Sequence, residues 1–198
     1  MVEWEYRETA NFEFDEFVDS YIADLKTALD GIPRASLKEF WKLVERTRSA
    51  DGSIHFLGNG GSAATPSHSA GDWSKELGLR TIAHTDNAAS LTAWANDTDY
   101  SNVFRGQLET FLRKGDLVVA YSGSGNSDNV LTGVRYANTK GCITVAVTGN
   151  VHGDQGGIIA KLCKLAIVVP TESMERSEDA QLVINHIIKE AVKKYNAL

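Results

Sequence analysis

The 198-residue sequence holds only two cysteines and three prolines. No apolar run approaches the roughly 20 residues that cross a bilayer. Cys142 and Cys163 stand far apart and neither has a CxxC neighbour. That excludes a thiolate zinc knuckle or a redox pair, and both read as small buried hydrophobes in a reducing compartment. Basic residues are outnumbered, 20 Lys and Arg against 26 Asp and Glu. Nucleic acid is therefore not the expected main partner, because neutralising phosphates takes clustered cations. The stretch MVEWEYRETANFEFDEF is acidic and has no apolar segment bounded by a cleavage site. These absences lead to the expectation of a soluble, cytoplasmic protein with no membrane partner.

What is present is a 42% hydrophobic chain, enough for one domain with a sizeable core and short for two. One domain over 1–198 is expected. Phe14, Phe17, Val18, Tyr21, Ile22, Leu25, Ala28 and Leu29 recur at helical spacing before Gly31 and Pro33, and a second amphipathic helix runs from about 36 to 48. Short β-rich runs then alternate with helical patterns. The strands are expected at 54–57, 81–83, 117–121, 143–147 and 165–169, and the helices at 63–77, 88–95, 103–112, 129–139 and 180–195. Strand–helix alternation implies βαβ units: an α/β three-layer sandwich with a mostly parallel five-stranded sheet, preceded by two helices within 1–50.

Two turns carry chemistry. The first strand runs into Gly58, Asn59, Gly60, Gly61 and Ser62 at the start of a helix, where unpaired N–H groups and the helix dipole favour an anion. Gly58, Gly60 and Ala63 also fit a GxGxxA dinucleotide fingerprint, with Asp86 placed where a ribose-binding acid would be wanted. The third strand runs into Ser122, Gly123, Ser124, Gly125, Asn126 and Ser127, three hydroxyls beside glycines that let a phosphate monoester approach the backbone. A dinucleotide fold has no obvious use for this second cradle. Either turn alone is also an ordinary strand-to-helix connection rich in Gly, Ser and Asn. Two in one small sheet favour phosphate binding.

Behind the first turn, His68 and Asp72 lie at i and i+4, on one side of their helix and about 6 Å apart along its axis, so they can share a metal or a proton. Such a pair is often a plain surface ion pair, and its place behind a phosphate turn is what gives it weight. His186 is a second imagined site imidazole, able to change charge near neutral pH. It competes with being a satisfied core histidine among Val183, Ile184, Ile187 and Ile188. His55, His84 and His152 show no partner pattern. Trp4, Trp41, Trp73 and Trp94 read as core or subunit contacts.

GNGGS at 58–62, HxxxD at 68–72, AND at 95–97, GD at 115–116, SGSGNS at 122–127 and VTGN at 147–150 together resemble the sugar isomerase (SIS) domain family. Within it they are most similar to the phosphoheptose isomerases, which convert sedoheptulose 7-phosphate to an aldoheptose 7-phosphate. The resemblance implies that Asn59, Gly60, Gly61, Ser62, Asp72, Asn96, Asp97, Ser122, Gly123, Ser124, Ser127 and Glu178 contact the phosphosugar. It implies a zinc-type metal held by His68, Asp72, Glu178 and His186, with Asp72 and His186 as acid/base groups, and a homotetramer with sites at subunit contacts. Asp72 and Glu178 depart from the family's usual Glu and Gln, Gly123 from its Thr, and Glu76 from its Arg. On one continuous helix Glu178 and His186 differ by about 12 Å of rise and roughly 80°, so both reach one metal only with extended side chains or if Glu178 precedes the helix.

Three readings remain at this point. A phosphosugar isomerase needs the two turns together with HxxxD and His186. A non-catalytic SIS module, binding a phosphosugar or another protein such as a replication initiator, would need no such pair. An NAD-dependent oxidoreductase would rest on Gly58 to Ala63 and respond to NADH.

Overall fold

The computed structural model describes residues 12–198; Trp4 lies outside them. Helices α1 (Phe14–Asp30) and α2 (Arg34–Ser49) lead into β1 (Ser53–Leu57), after which helices and strands alternate. They are α3 (Gly61–Leu77), β2 (Arg80–Ala83), α4 (Ala88–Asp97), a 3-10 turn (Tyr100–Asn102), α5 (Val103–Phe111), β3 (Leu117–Ser122), α6 (Asp128–Thr139), β4 (Ile143–Thr148), α7 (Gly157–Leu162), β5 (Leu165–Val168) and α8 (Met174–Asn196). Every strand pairing is parallel and the order is β2-β1-β3-β4-β5. This is the flavodoxin-like order, not that of a dinucleotide-binding Rossmann sheet.

Alternate strand residues serve opposite faces. Ile54, Phe56, Val119 and Tyr121 pack with Phe40, Trp73 and Ile184 of α2, α3 and α8. Leu57, Val118 and Ala120 pack with Phe104, Leu108 and Val134 of α5 and α6. Trp73 and Phe56 meet edge to face with ring centroids 5.4 Å apart, and both are wholly buried. Truncating Trp73 would cost about 3–5 kcal/mol. Trp41 and Trp94 are half-buried against the two cores. Helix α2 is a full member of the first core through Leu37, Phe40, Leu43 and Val44, whereas α1 buries only Ala28.

Two elements differ from the sequence expectation. The six-residue α7 falls in a stretch where no element was expected, since GGIIAKL is too short to show a helical period and its helix begins with Gly157 at φ +70. Helix α8 starts at Met174, six residues before position 180, with the Ser173 hydroxyl accepting from Arg176 N–H at 3.3 Å as its cap. Pro66 sits inside α3. Lacking an N–H, it leaves the Ser62 carbonyl without its helical partner. That oxygen stands 1.9 Å from where a Cβ on Gly58 would be, so only glycine fits there.

Below the second face lies a buried polar chain. His55 Nε2 is 3.3 Å from Asp116 Oδ2, and His55 Nδ1 is 3.0 Å from His84 Nε2. A carboxylate only accepts, so His55 carries its proton on Nε2 and takes the His84 N–H on Nδ1. The His84 Nδ1 is buried with no partner among the described residues. Burial lowers the pKa of both imidazoles; the neighbouring His55 helps take His84 to about 3, while Asp116 pulls His55 part of the way back. The folded state thus binds fewer protons than the unfolded chain below pH 6.5. Stability should fall as the pH drops from 7 to 5.5, by about 1 kcal/mol for His84. Urea midpoints across that range check this, with His84→Leu giving a shallower slope; a flat wild-type profile would refute it.

Candidate active site

β1 and β3 are neighbours, with Leu57 opposite Ala120, so the turns that follow them emerge side by side at the carboxyl edge of the sheet. They line one cavity of about 240 Å³ with Asn59, Gly60 and Ser62 on one side and Ser122, Gly123, Ser124 and Ser127 on the other. Met174 and Glu178 of α8 complete it. The first turn bends through Gly60 at φ 58, ψ −128, a conformation open to glycine.

The serine turn is braced through its acceptors. The Ser122 hydroxyl oxygen accepts from Gly125 N–H at 3.1 Å and that of Ser124 from Asn126 N–H at 3.3 Å. None of the Ser122, Ser124 and Ser127 hydroxyls donates a hydrogen bond to another described residue, so all three protons are free for a ligand. Ser127 precedes α6 without capping it by side chain. The first N–H groups and the positive dipole end of a 12-residue helix therefore face the same space.

At the first turn the helix terminus already has its anion. The Glu178 carboxylate lies on Gly61, where a Cβ would meet its Oε2 at 2.1 Å. The Ser62 backbone N–H favours its charged form, but burial, followed by Glu175 and Asp179, outweighs that and leaves its pKa raised. Of the two turns, the serine turn is therefore the one whose donors stay open to an anion, with Glu178 across the cavity.

The amide of Asn59 is held by a reciprocal pair with Asn129, both N–H to O distances being 2.8 Å, and by the Tyr100 hydroxyl at 3.2 Å. Asn129, Tyr100 and Met174 were not read from the sequence. Met174 follows a recognisable helix cap at Ser173, whereas the other two reach Asn59 only through the fold.

A second group lies further along α3 and α8. His68 Nε2 and His186 Nε2 are 2.9 Å apart, and Asp72 Oδ2 is 3.2 Å from the first and 3.9 Å from the second. The donor atoms of these three residues all fall within 4.8 Å of one another, a spacing that suits a first-row metal with one or more positions open. Glu178 does not join them. Because α8 starts at Met174, Glu178 is inside the regular helix and turns to Gly61 instead. Asn96 and Asp97 are also elsewhere: Asn96 Nδ2 donates to Asp97 at 2.9 Å, and Asp97 lines a separate depression with Ser90, Ala93, Trp94 and Thr98. Glu76 faces away from the phosphate cavity, bonded to Lys189 at 3.1 Å and Lys193 at 2.9 Å, which bring its pKa down to about 2.

A side chain at 123 would conflict with Met174, whose Sδ is 2.2 Å from the position of the missing Cβ. Gly123→Thr should cost no more than about 1 kcal/mol, because the colliding thioether is the far end of a flexible side chain that can swing aside, and adding Met174→Ala should remove that cost. Urea denaturation of the single and double variants measures the coupling; strict additivity would mean the two residues do not share that space.

Comparison with known proteins adds to this geometry. Residues 17–149 match the SIS domain family model. The chain is 40% identical over 183 residues to a probable phosphoheptose isomerase of Thermoplasma volcanium, covering 90% of this chain and 91% of that one. It is 36% identical over 163 residues to the phosphoheptose isomerase of Sulfurimonas denitrificans, covering 80% and 82%. Its fold is similar to that of phosphoheptose isomerase GmhA from Neisseria gonorrhoeae, with a TM-score of 0.86 at 29% identity over 92% of this chain and all of that one.

Proposed function

This chain belongs to the SIS-domain family and to its phosphoheptose isomerases, and from that premise we propose that it interconverts sedoheptulose 7-phosphate and glycero-manno-heptose 7-phosphate. The observation that carries the reading is the single cavity shared by the two turns, with a His–Asp–His group further along the two helices that wall it. From Ser62 to His68 α3 rises about 9 Å, and from Glu178 to His186 α8 rises about 12 Å. That span is comparable to an extended sugar phosphate anchored at one end.

Ketose–aldose isomerisation removes a proton from C1 and returns it to C2, while a second proton passes from one oxygen to the other. Ser122, Ser124 and Ser127 hold the phosphate, so that the reacting carbons are fixed far from the anchoring charge. Asp72 meets both imidazoles through Oδ2, and its other oxygen takes the C1 proton and delivers it to C2. His68, Asp72 and His186 fit a zinc or other divalent ion, which when bound supplies polarisation of the carbonyl oxygen. His186 either shares in holding that ion or itself exchanges the proton between the oxygens, and metal content separates the two roles. Glu178, Asn59, Gly60, Gly61 and Ser62 face the substrate from the first turn.

The assembly we propose is a homotetramer in the cytoplasm with sites at subunit contacts. Phe14, Phe17 and Ile22 of α1 and Leu182 and Ile187 of α8 are exposed, an apolar surface that a second copy would cover. No described helix is long and apolar enough to cross a membrane. A non-catalytic SIS module has no use for three converging metal-type ligands, which is why the enzyme reading is preferred.

Turnover of sedoheptulose 7-phosphate, measured with and without a chelator, is the direct test. His186→Gln should lower kcat by on the order of 10²–10⁴ while leaving phosphosugar binding in place. Ser122→Ala should chiefly raise KM. Absence of turnover by the native protein across several ketose phosphates would refute the assignment.

A further inference from the structure

The metal-type group is flanked by an ion ladder that the isomerase reading does not use. Helices α3 and α8 run side by side in the same direction, so that Gly61 meets Glu178, His68 meets His186, Asp72 meets Lys189 and Glu76 meets Lys193. The Lys189 ammonium lies 3.3 Å from Asp72 Oδ2, the same oxygen that faces both imidazoles. It is also 3.1 Å from Glu76 and 3.2 Å from Glu190. Lys189 is only 7% exposed, and Glu76 is in turn held by Lys193 at 2.9 Å. The ammonium is thus held between three carboxylates beside the candidate ligand set.

We infer that Lys189 attenuates the affinity of the His68–Asp72–His186 centre for a divalent cation, keeping that cation exchangeable. The inference rests on the metal reading above. A dication ligated by Asp72 Oδ2 would sit a few ångströms from a positive charge sharing the same oxygen, in surroundings where such repulsion is only partly screened. Glu178 brings no further negative charge to the centre, being engaged at Gly61, and the Glu76 and Glu190 carboxylates that pair with the ammonium lie outside the imidazoles' ligand set. The three ligands set which ions fit; Lys189 sets how tightly they are held. It acts through Asp72 as a positioning residue and touches no substrate.

The test is a Zn2+ titration of the full-length, chelator-stripped protein against a chromophoric competitor, with the Co2+ absorption spectrum reporting the ligand set. Lys189→Met should bind Zn2+ tighter by on the order of tenfold. Lys189→Arg should match the wild type. Lys193→Met, which removes a charge touching only Glu76, should stay within about threefold. If Lys189→Met folds poorly, Lys189→Met combined with Glu76→Gln removes one of the carboxylates that Lys189 had paired and should again bind more tightly than Glu76→Gln alone. Wild type that binds Zn2+ alongside a lysine-free variant that binds equally or more weakly overturns this inference and leaves the metal reading standing. Binding by neither protein overturns both.

Discussion

The pairing of β1 with β3 is the constraint on which the site depends. With β2 placed outside β1, the chain crosses over before β3 is laid against the other edge of β1, and the strand order reverses there. Side chains of Phe56 and Val119 opposite each other, and of Leu57 and Ala120 one step on, fix the register that brings Gly58 and Ser122 to the same edge. A slip of one residue would send one strand's set, Phe56 or Tyr121, to the wrong core and part the two turns. The place of the cavity is thus an outcome of core packing on both faces, while residues of the turns such as Gly58 and Asn59 set its shape.

The same packing explains why α3 and α8 supply everything beyond the phosphate. Both descend from the carboxyl edge in the same direction against one face, through Trp73, Ala70 and Leu77 on one helix and Ile184 and Ile188 on the other. Residues at matching depth face each other, and the chemistry changes with depth. A carboxyl at Gly61 comes first, then two imidazoles with a carboxylate, then paired lysines and acids. Polar groups at the outer levels are spared the cost of burial because each level supplies its own counter-group.

Periodicity made most of the fold legible. The alternation of β-rich runs with apolar stripes located the five strands and all the helices but α7, whose six residues carry too few turns to show a period. The site was legible where its residues are consecutive, at 58–62 and 122–127, and where they share a helix face, at His68 and Asp72. It was less legible across elements. Glu178 belongs with Gly61 because α8 begins earlier than its apolar stripe suggested, and the Ser173 cap was the available signal. Asn96 and Asp97 sit at the end of α4, where AND reads as a motif, yet neither lines the serine cradle. His55 and His84 had no readable partner because β1–β2 register, and not sequence spacing, brings them together.

Pro66 and Gly58 belong to different elements and never touch, yet the Ser62 carbonyl links them. The proline withholds the N–H that would draw this oxygen into the helix, and the oxygen takes the room that any side chain at 58 would fill. The two positions therefore meet at one atom: a carbonyl left without its usual helical donor fills the space a side chain at 58 would need, so the shape of the turn is guarded from inside the helix it opens.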